Sequence, residues 1–533
     1  MMPLFLIVLF PIIMALFIYL SFNRLPKISM FMMQLIVLAM AVYFFIYTKE
    51  NGTVIHVLGY YDQGIGIALK SDNIASVLVL LNAFLFTCMI LFNYHKPYMN
   101  RLFLFLFVIL QGLMNGIFLA NDMFTIYVLI ELSTIVVSVL IMFKKDSQSI
   151  YDGMLYLLTN IVSMTLFLLG IAYMYKIFGS LDLDIIGQRM SLIENPRALI
   201  LPYSLIITSI GLKSALMPLF SWLPRAHGTP SAPSIVSAIL SGLYVKGGLY
   251  LFIRFQAIFS EQLDTTHIFL ILGFMTAVIG FLFALSQTDI KLILAYSTVS
   301  QIGLIIFGLS LNHDYSYWGS IYHIVNHAIF KSVLFLTAGM IIETYETRDI
   351  RQITGVFKRM PFVSIITFMA ILGITGAPLF NGSISKYLIQ SDTSSRDLLE
   401  YGLILINLGT IMIFVKYGSM FRGDSHVKTA PVRLNQKLAI LILGGFCLAG
   451  GIFGVQFIKL LFNINISVSL DGYVRKAIVY MISLIIGWFF YTYLYSKIGL
   501  FKKIREIELT FNQICFSIVL FFAGMFSYLL YII

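Results

Sequence analysis

Along most of the chain, apolar residues run for about 20 positions before a polar or basic cluster interrupts them, the length that carries an α-helix across a bilayer core. These runs predict about 16 membrane spans, from residues 2–22 to residues 511–532. Five of them carry polar residues of interest: the fifth (123–143), seventh (200–220), eighth (235–255), eleventh (317–342) and twelfth (361–390). Nothing alternates with the period of two expected of a barrel strand, so the pattern predicts an all-α polytopic membrane protein. The first run lacks a basic leader and a small-residue cleavage site and is read as a retained span.

Two spans are interrupted in a similar way. In the seventh, Gly211 and Pro218 flank Lys213; in the twelfth, Gly373, Gly376, Pro378 and Gly382 precede Lys386. Proline removes a backbone donor and clashes with the preceding turn, so both helices are expected to break within the membrane. Broken helices in matching halves are the mark of inverted-repeat transporters. The spacing suits two inverted five-helix repeats, each with its broken helix fourth. The expected organisation is N-terminal spans in 1–100, a first repeat in 101–256, a second in 267–421 and C-terminal spans in 436–533. Residues 180–196 read as a surface loop or short interfacial helix, and 496–512 as a short amphipathic stretch.

Composition agrees with this class. Apolar residues make up 59% of the 533 positions and charged residues 11%, against about 25% charged in soluble domains. The net charge of +11 does not indicate nucleic acid, because the cations lie in loops on alternate sides of the spans. One side, from Arg24 to Arg505, holds 20 lysines and arginines; the other, which includes Arg396 and Lys476, holds 10. The positive-inside rule places the richer side in the cytoplasm and both termini outside, in a cell membrane of prokaryotic type. Cys88, Cys447 and Cys515 show no metal or disulfide spacing. There is no P-loop, dinucleotide fingerprint or cluster-ligating cysteine set, so no cofactor is expected, and any redox chemistry belongs to a partner.

The remaining lysines lie inside apolar runs. Burying a charge near mid-bilayer costs about 2.5–3.5 kcal/mol on the insertion scale, so such residues need partners or a wet path. Glu131 has no cation near it in sequence, and Lys213 is its natural partner from another helix. Loosening such a pair lets the lysine lose its proton, whereas a static bridge merely joins helices. Lys246 stands about eleven residues into its span, too deep for easy snorkelling, between small residues that permit close helix approach or water entry. His323, His327 and Lys331 recur at intervals of four and share one helix face. Histidine changes charge near neutral pH and both donates and accepts, as a proton relay requires. Lys386, just after the second break, suits an exit group. Lys416 reads as a snorkelling residue near its span's end. Ser237, Ser241, Ser300, Gln301, Asn326, Asn381 and Ser385 are polar positions able to hold water or bond across helices.

Four motifs carry a family resemblance. They are GLKSALMPLFSWLPRAH at 211–227, QTDIKLILAYSTVSQIG at 287–303, HIVNHAIFKSVLFLTAG at 323–339 and GAPLFNGSISK at 376–386. Together they resemble the antiporter-like subunits: the large membrane subunits of Mrp-type sodium/proton antiporters, respiratory complex I and membrane-bound hydrogenases. The resemblance implies about 14 core helices with two inverted repeats and a hydrated polar axis. It assigns Glu131 and Lys213 to the carboxylate–lysine pair, Lys246 to the central lysine, His323, His327 and Lys331 to the central relay, and Lys386 to the terminal lysine. Lys386 departs from complex I relatives that have glutamate there. Ser383 stands where the family commonly has a bulky aromatic, so the resemblance gives no guide to the packing beside Lys386. The function implied is translocation of protons, or of sodium against protons, by one membrane subunit of a multisubunit complex. Two other readings are a stand-alone solute transporter using the broken helices, and a structural subunit whose charges only hold helices together.

Overall fold

The computed structural model describes residues 2–21, 27–228, 232–391, 397–428 and 431–533. Arg24 and Arg396, two of the loop cations counted above, lie outside the described residues. Among the described residues, 13 helices are long and apolar enough to cross a membrane, and Phe5–Ser21 and Pro361–Thr375 are shorter apolar helices. With Arg197–Lys213, which stops at its lysine, these helices occupy the apolar runs of the sequence. The protein is an all-α polytopic membrane protein.

The chain forms two compact units. The first comprises Met1–Trp222, Tyr244–Thr265 and Thr510–Ile533; the second comprises Leu223–Leu243 and Thr266–Leu509. In the first lie α1 (Phe5–Ser21), α2 (Lys27–Asn51), α3 (Asn73–Asn93), α4 (Arg101–Leu119), α5 (Met123–Ile141), α6 (Ser147–Phe178), α7 (Leu183–Met190) and α8 (Arg197–Lys213). After α9 (Trp222–Gly228), a helix begins as α10 (Ser234–Ile239) and ends as α11 (Val245–Phe259). The second unit continues through α12 (Thr266–Ser286), α13 (Ile290–Leu309), α14 (Asp314–Tyr345), α15 (Val356–Arg359), α16 (Pro361–Thr375), α17 (Asn381–Ser391) and α18 (Asp397–Tyr417). It closes with α19 (Leu434–Ile452), α20 (Gly454–Phe462), α21 (Leu470–Phe489) and α22 (Leu500–Arg505), after which α23 (Phe511–Ile532) packs on α6 and α8 of the first unit. The short helix expected within 180–196 is α7, and the amphipathic stretch within 496–512 carries α22.

A hairpin of β1 (Val54–Val57) and β2 (Ala68–Ser71) has no counterpart in the sequence expectations. Each strand has four residues, too few for an alternating signal to stand out.

The same clasp occurs once in each unit. In the first, Met123 N–H donates to Leu181 O at 3.0 Å and Leu183 N–H donates to Asn121 O at 2.9 Å. In the second, Ile290 N–H donates to Arg348 O and Ile350 N–H to Thr288 O, both at 2.9 Å. The bridged aspartates, Asp122 with Asp182 and Asp289 with Asp349, have equal sequence separations. Asp122 caps α5, Asp182 caps α7 and Asp289 caps α13, each accepting from backbone N–H groups that lack an intrahelical partner. Each clasp ties the two ends of a helical hairpin, α5–α6 or α13–α14, beside one broken helix.

Candidate functional site

The first break is built around α8. Ala215 adopts a left-handed φ of 55°, and the Met217–Pro218 peptide is cis. A β-carbon disfavours that φ, so the surrounding contacts must hold it. Leu216 N–H reaches back to Gly211 O at 2.9 Å, and the Leu212 carbonyl accepts both from Ala215 N–H at 2.9 Å and from Trp222 Nε1–H at 2.6 Å. Gly248 of α11 crosses directly over this turn; a Cβ there would lie 2.7 Å from Lys213 C and Ser214 N. The break therefore needs glycine at its crossing point.

Lys213, at the end of α8, is 5% exposed. Its ammonium donates to Thr134 Oγ1 at 2.6 Å and to Tyr244 OH at 3.5 Å. Thr134 in turn donates to Ile130 O at 2.8 Å. Tyr156 OH donates to Tyr244 OH at 2.8 Å, and Ser133 Oγ lies 3.4 Å from the same oxygen. Glu131, half-buried on α5 one turn before Thr134, is within Coulombic range of Lys213. The two make no direct ion pair among the described residues. A hydroxyl holds the lysine, and the carboxylate acts on it from a distance. The space beside Lys213 is about 10 Å³, lined by Ile130, Ser133, Tyr244, Gly247 and Gly248 among others, enough for at most one water.

Lys246 is wholly buried. It follows a turn of π-helix at Leu240–Tyr244 that joins α10 to α11, and such turns recur at functional sites because they redirect side chains within a helix. The glycine pair after it allows close approach: a Cβ on Gly247 would lie 3.3 Å from Met114 Cε.

In the second unit, α14 carries His323, His327 and Lys331, all buried. The two imidazoles are 6.4 Å apart, with the Phe330 ring 6.0 and 5.4 Å from them. Lys331 donates to Leu294 O at 2.7 Å and to Ser297 Oγ at 2.5 Å on α13. His323 Nε2 is 3.0 Å from Gln301 Oε1 and its Nδ1 is 2.8 Å from Ser385 Oγ. The network assigns its proton. Thr410 donates to Ile406 O and accepts from Gln301 Nε2 at 3.0 Å, which turns the Gln301 carbonyl oxygen toward His323. Nε2 of His323 is then the donor, and Nδ1 accepts from Ser385. Ser385 has a second acceptor, Gly382 O at 3.2 Å. When His323 takes a second proton, that hydroxyl can turn away, so Ser385 responds to the charge of His323.

The second break lies between α16 and α17. Gly376 (φ 83°) and Leu379 (φ 71°) both adopt left-handed backbone. A Cβ on Gly382 would collide with Gly373 O, so the two half-helices meet backbone to backbone. Lys386 is 7% exposed and donates to Thr375 O, a carbonyl at the end of α16, at 3.4 Å. It lines a cavity of about 60 Å³ with Thr375, Tyr387, Gln390, Asn407, Lys476 and Tyr480 among others, room for a few waters.

The structure thus gathers Glu131 and Lys213 around Thr134 and Tyr244 within the first unit. Within the second it aligns Lys331, His327 and His323, and connects His323 through Ser385 to the helix that carries Lys386. Thr134, Tyr156, Tyr244, Lys476 and Tyr480 were not anticipated from sequence pattern. Single hydroxyls and phenols are common in membrane helices, and only the positions of Thr134 one turn after Glu131 and of Tyr244 two before Lys246 gave a clue. Lys416 departs from the sequence expectation. It does not snorkel: it is 2% exposed and caps the end of α12, donating to Leu285 O at 2.6 Å and also to Gln287 O.

Fold and site together define a polytopic membrane protein with two broken helices, each holding a buried lysine beside polar partners on neighbouring helices. The chain belongs to the NADH:quinone oxidoreductase/Mrp antiporter transmembrane family, whose model matches residues 120–412. It is 29% identical over 383 residues to a Na(+)/H(+) antiporter subunit of Alkalihalophilus pseudofirmus, covering 71% of this chain and 77% of that one. It is 28% identical over 442 residues to "Putative antiporter subunit mnhD2" of Staphylococcus haemolyticus, covering 81% and 88%. Its fold is similar to a chain of the Mrp complex from Dietzia sp. DQ12-45-1b (TM-score 0.79, 21% identity, 90% of this chain and 100% of that one). It is also similar to a chain of respiratory complex I from Thermus thermophilus (TM-score 0.75, 21% identity, 90% and 99%).

Proposed function

We propose that this chain is a proton- or sodium/proton-translocating subunit of a multisubunit complex in a prokaryotic cell membrane, with both termini outside. Protons would pass stepwise from Lys213 to Lys246, along Lys331, His327 and His323, and on to Lys386, with Glu131 gating the entry. Two inverted repeats, 101–256 and 267–421, would each contribute one broken helix. The observation that carries this reading is the repetition of a buried lysine at a helix break, held by the Thr134 and Tyr244 hydroxyls at the first and by the Thr375 carbonyl beside a polar cavity at the second. The matching clasps at Asp122–Asp182 and Asp289–Asp349 support the repeats. The relatives named as sodium/proton antiporter subunits support antiport and membrane partners.

Ion-driven proton movement in everted vesicles holding the assembled complex tests it. Glu131→Ala and Lys213→Ala should assemble with their partner subunits and lose transport. Full transport by both variants would refute the assignment.

A further inference from the structure

α21 lies outside the residues matched by the family model, and most of its surface is apolar and exposed. One face differs. Tyr473, Lys476, Tyr480 and Ser483 recur at intervals of three and four and so form a single stripe. Three of these side chains make polar contacts with the second helix break. Tyr473 OH accepts from Leu379 N–H at 3.0 Å and lies 2.9 Å from Ser383 Oγ. Lys476 Nζ donates to Tyr387 O at 2.7 Å and sits 4.3 Å from the centre of the Tyr387 ring. Tyr480 OH lies 3.1 Å from Thr375 Oγ1, on the residue whose carbonyl receives Lys386. Lys476, Tyr480 and Ser483 line the same cavity of about 60 Å³ as Lys386. A carboxylate, Glu400 of α18, is within Coulombic range of Lys476.

We propose that the terminal site is a two-lysine site in which Lys476 receives, through water in the shared cavity, the proton that Lys386 releases. The step begins with Lys386 as ammonium and Lys476 as amine and ends with the two states exchanged, so no other reactant is needed. Like charges in one cavity disfavour double protonation, which makes the exchange directional once Glu400 favours the charge on Lys476. Among the described residues, the titratable groups beside this pair are Tyr387 from α17, Tyr473 and Tyr480 from α21 and Glu400 from α18. The inference rests on the proton-path reading above and names its last member.

Arginine separates this role from a static one. A guanidinium keeps its charge but does not deprotonate, so it cannot accept a proton. Lys476→Met, Lys476→Arg and Lys476→His are compared in everted vesicles holding the complete complex, with assembly checked by co-purification of the partner subunits. Lys213→Ala is the control for the path itself. The methionine and arginine variants should fall to the background of vesicles lacking the chain. The histidine variant should keep measurable transport with its pH optimum moved to lower pH. Wild-type rates in Lys476→Arg would overturn the proposal, because a fixed charge would then suffice. Loss in Lys213→Ala with full transport in Lys476→Met would overturn only this inference, whereas full transport in both would remove the underlying reading too. If Lys476→Met fails to assemble, the arginine and histidine variants still decide.

Discussion

The two helix breaks bury their lysines to nearly the same degree, 5% exposed at Lys213 and 7% at Lys386, but surround them differently. At the first break, Thr134 lies 2.6 Å from the ammonium and Tyr244 3.5 Å away, with a space of about 10 Å³ beside them. At the second, the contact in hydrogen-bond range among the described residues is a backbone carbonyl at 3.4 Å, and the cavity is about 60 Å³. The lysines also stand on opposite sides of their breaks. Lys213 ends the half-helix before the left-handed Ala215, and Lys386 lies inside the half-helix after the left-handed Leu379. Burial alone does not set what a buried lysine can do. One held by side-chain hydroxyls changes state when its shell rearranges, and a carboxylate such as Glu131 can bias that rearrangement. One beside water can exchange its proton without any helix moving.

The contrast predicts unequal effects of removing hydroxyls. Thr134→Val takes away the closest acceptor of Lys213, and a hydrogen bond to a charged group is worth about 1.5–3 kcal/mol. Transport in vesicles should fall about tenfold or more at saturating ion concentration, by the same arithmetic. Thr375→Val removes the hydroxyl facing Tyr480 but keeps the carbonyl that receives Lys386, so its loss should be smaller. Equal losses would show that the two lysines are held alike and would end the comparison.

Water access gives a second, smaller difference. In a background without Cys88, Cys447 and Cys515, Lys386→Cys and Lys213→Cys are exposed to a charged thiol reagent within the assembled complex. The cavity sizes predict faster modification at 386. A faster reaction at 213 would reverse the assignment of open and closed breaks.

Much of this arrangement could be read in the sequence because membrane burial makes charge conspicuous. Lysines 213, 246, 331 and 386 stand out in apolar runs, and glycine and proline mark both breaks. Spacing by four placed His323, His327 and Lys331 on one face without any structure. What could not be read has equally physical causes. Thr134 and Tyr244 look like ordinary membrane-helix residues until a lysine from another helix meets them. Lys476 was counted as a loop cation because it begins an apolar run; its role depends on α21 packing against α17 and α18, a long-range fact. Lys416 departs from its sequence pattern for the converse reason: its position suggests escape to the membrane surface, whereas the end of α12 offers it carbonyls.

The smallest expected effects compare the two clasps, which lie in the connections between helices. In the second unit, Arg351 grips Asp349 through Nε at 2.9 Å and Nη2 at 2.5 Å, and this guanidinium holds the carboxyl below the usual carboxylate range. A carboxyl depressed by folding adds stability above its unfolded pKa of about 3.9, and that stability is lost as pH falls through the lower folded value. Arg351 is 65% exposed on its side chain, so solvent screening limits the pair to about 0.5 kcal/mol or less. In the first unit, Lys70 and Asp184 meet at 2.5 Å with side chains only 22% and 23% exposed, where screening is weaker. Arg351→Ala should therefore lower the melting temperature of the solubilised complex slightly at pH 7, with the difference vanishing once the pH has fallen below the lowered pKa of Asp349. Lys70→Ala should lower it more at pH 7, since the cation it removes is 22% exposed against 65% for Arg351, so the ion pair it breaks is less screened. If Arg351→Ala proved the more damaging at neutral pH, the second clasp would bear more of the fold than its exposure allows, and the equivalence of the two clasps would have to be abandoned.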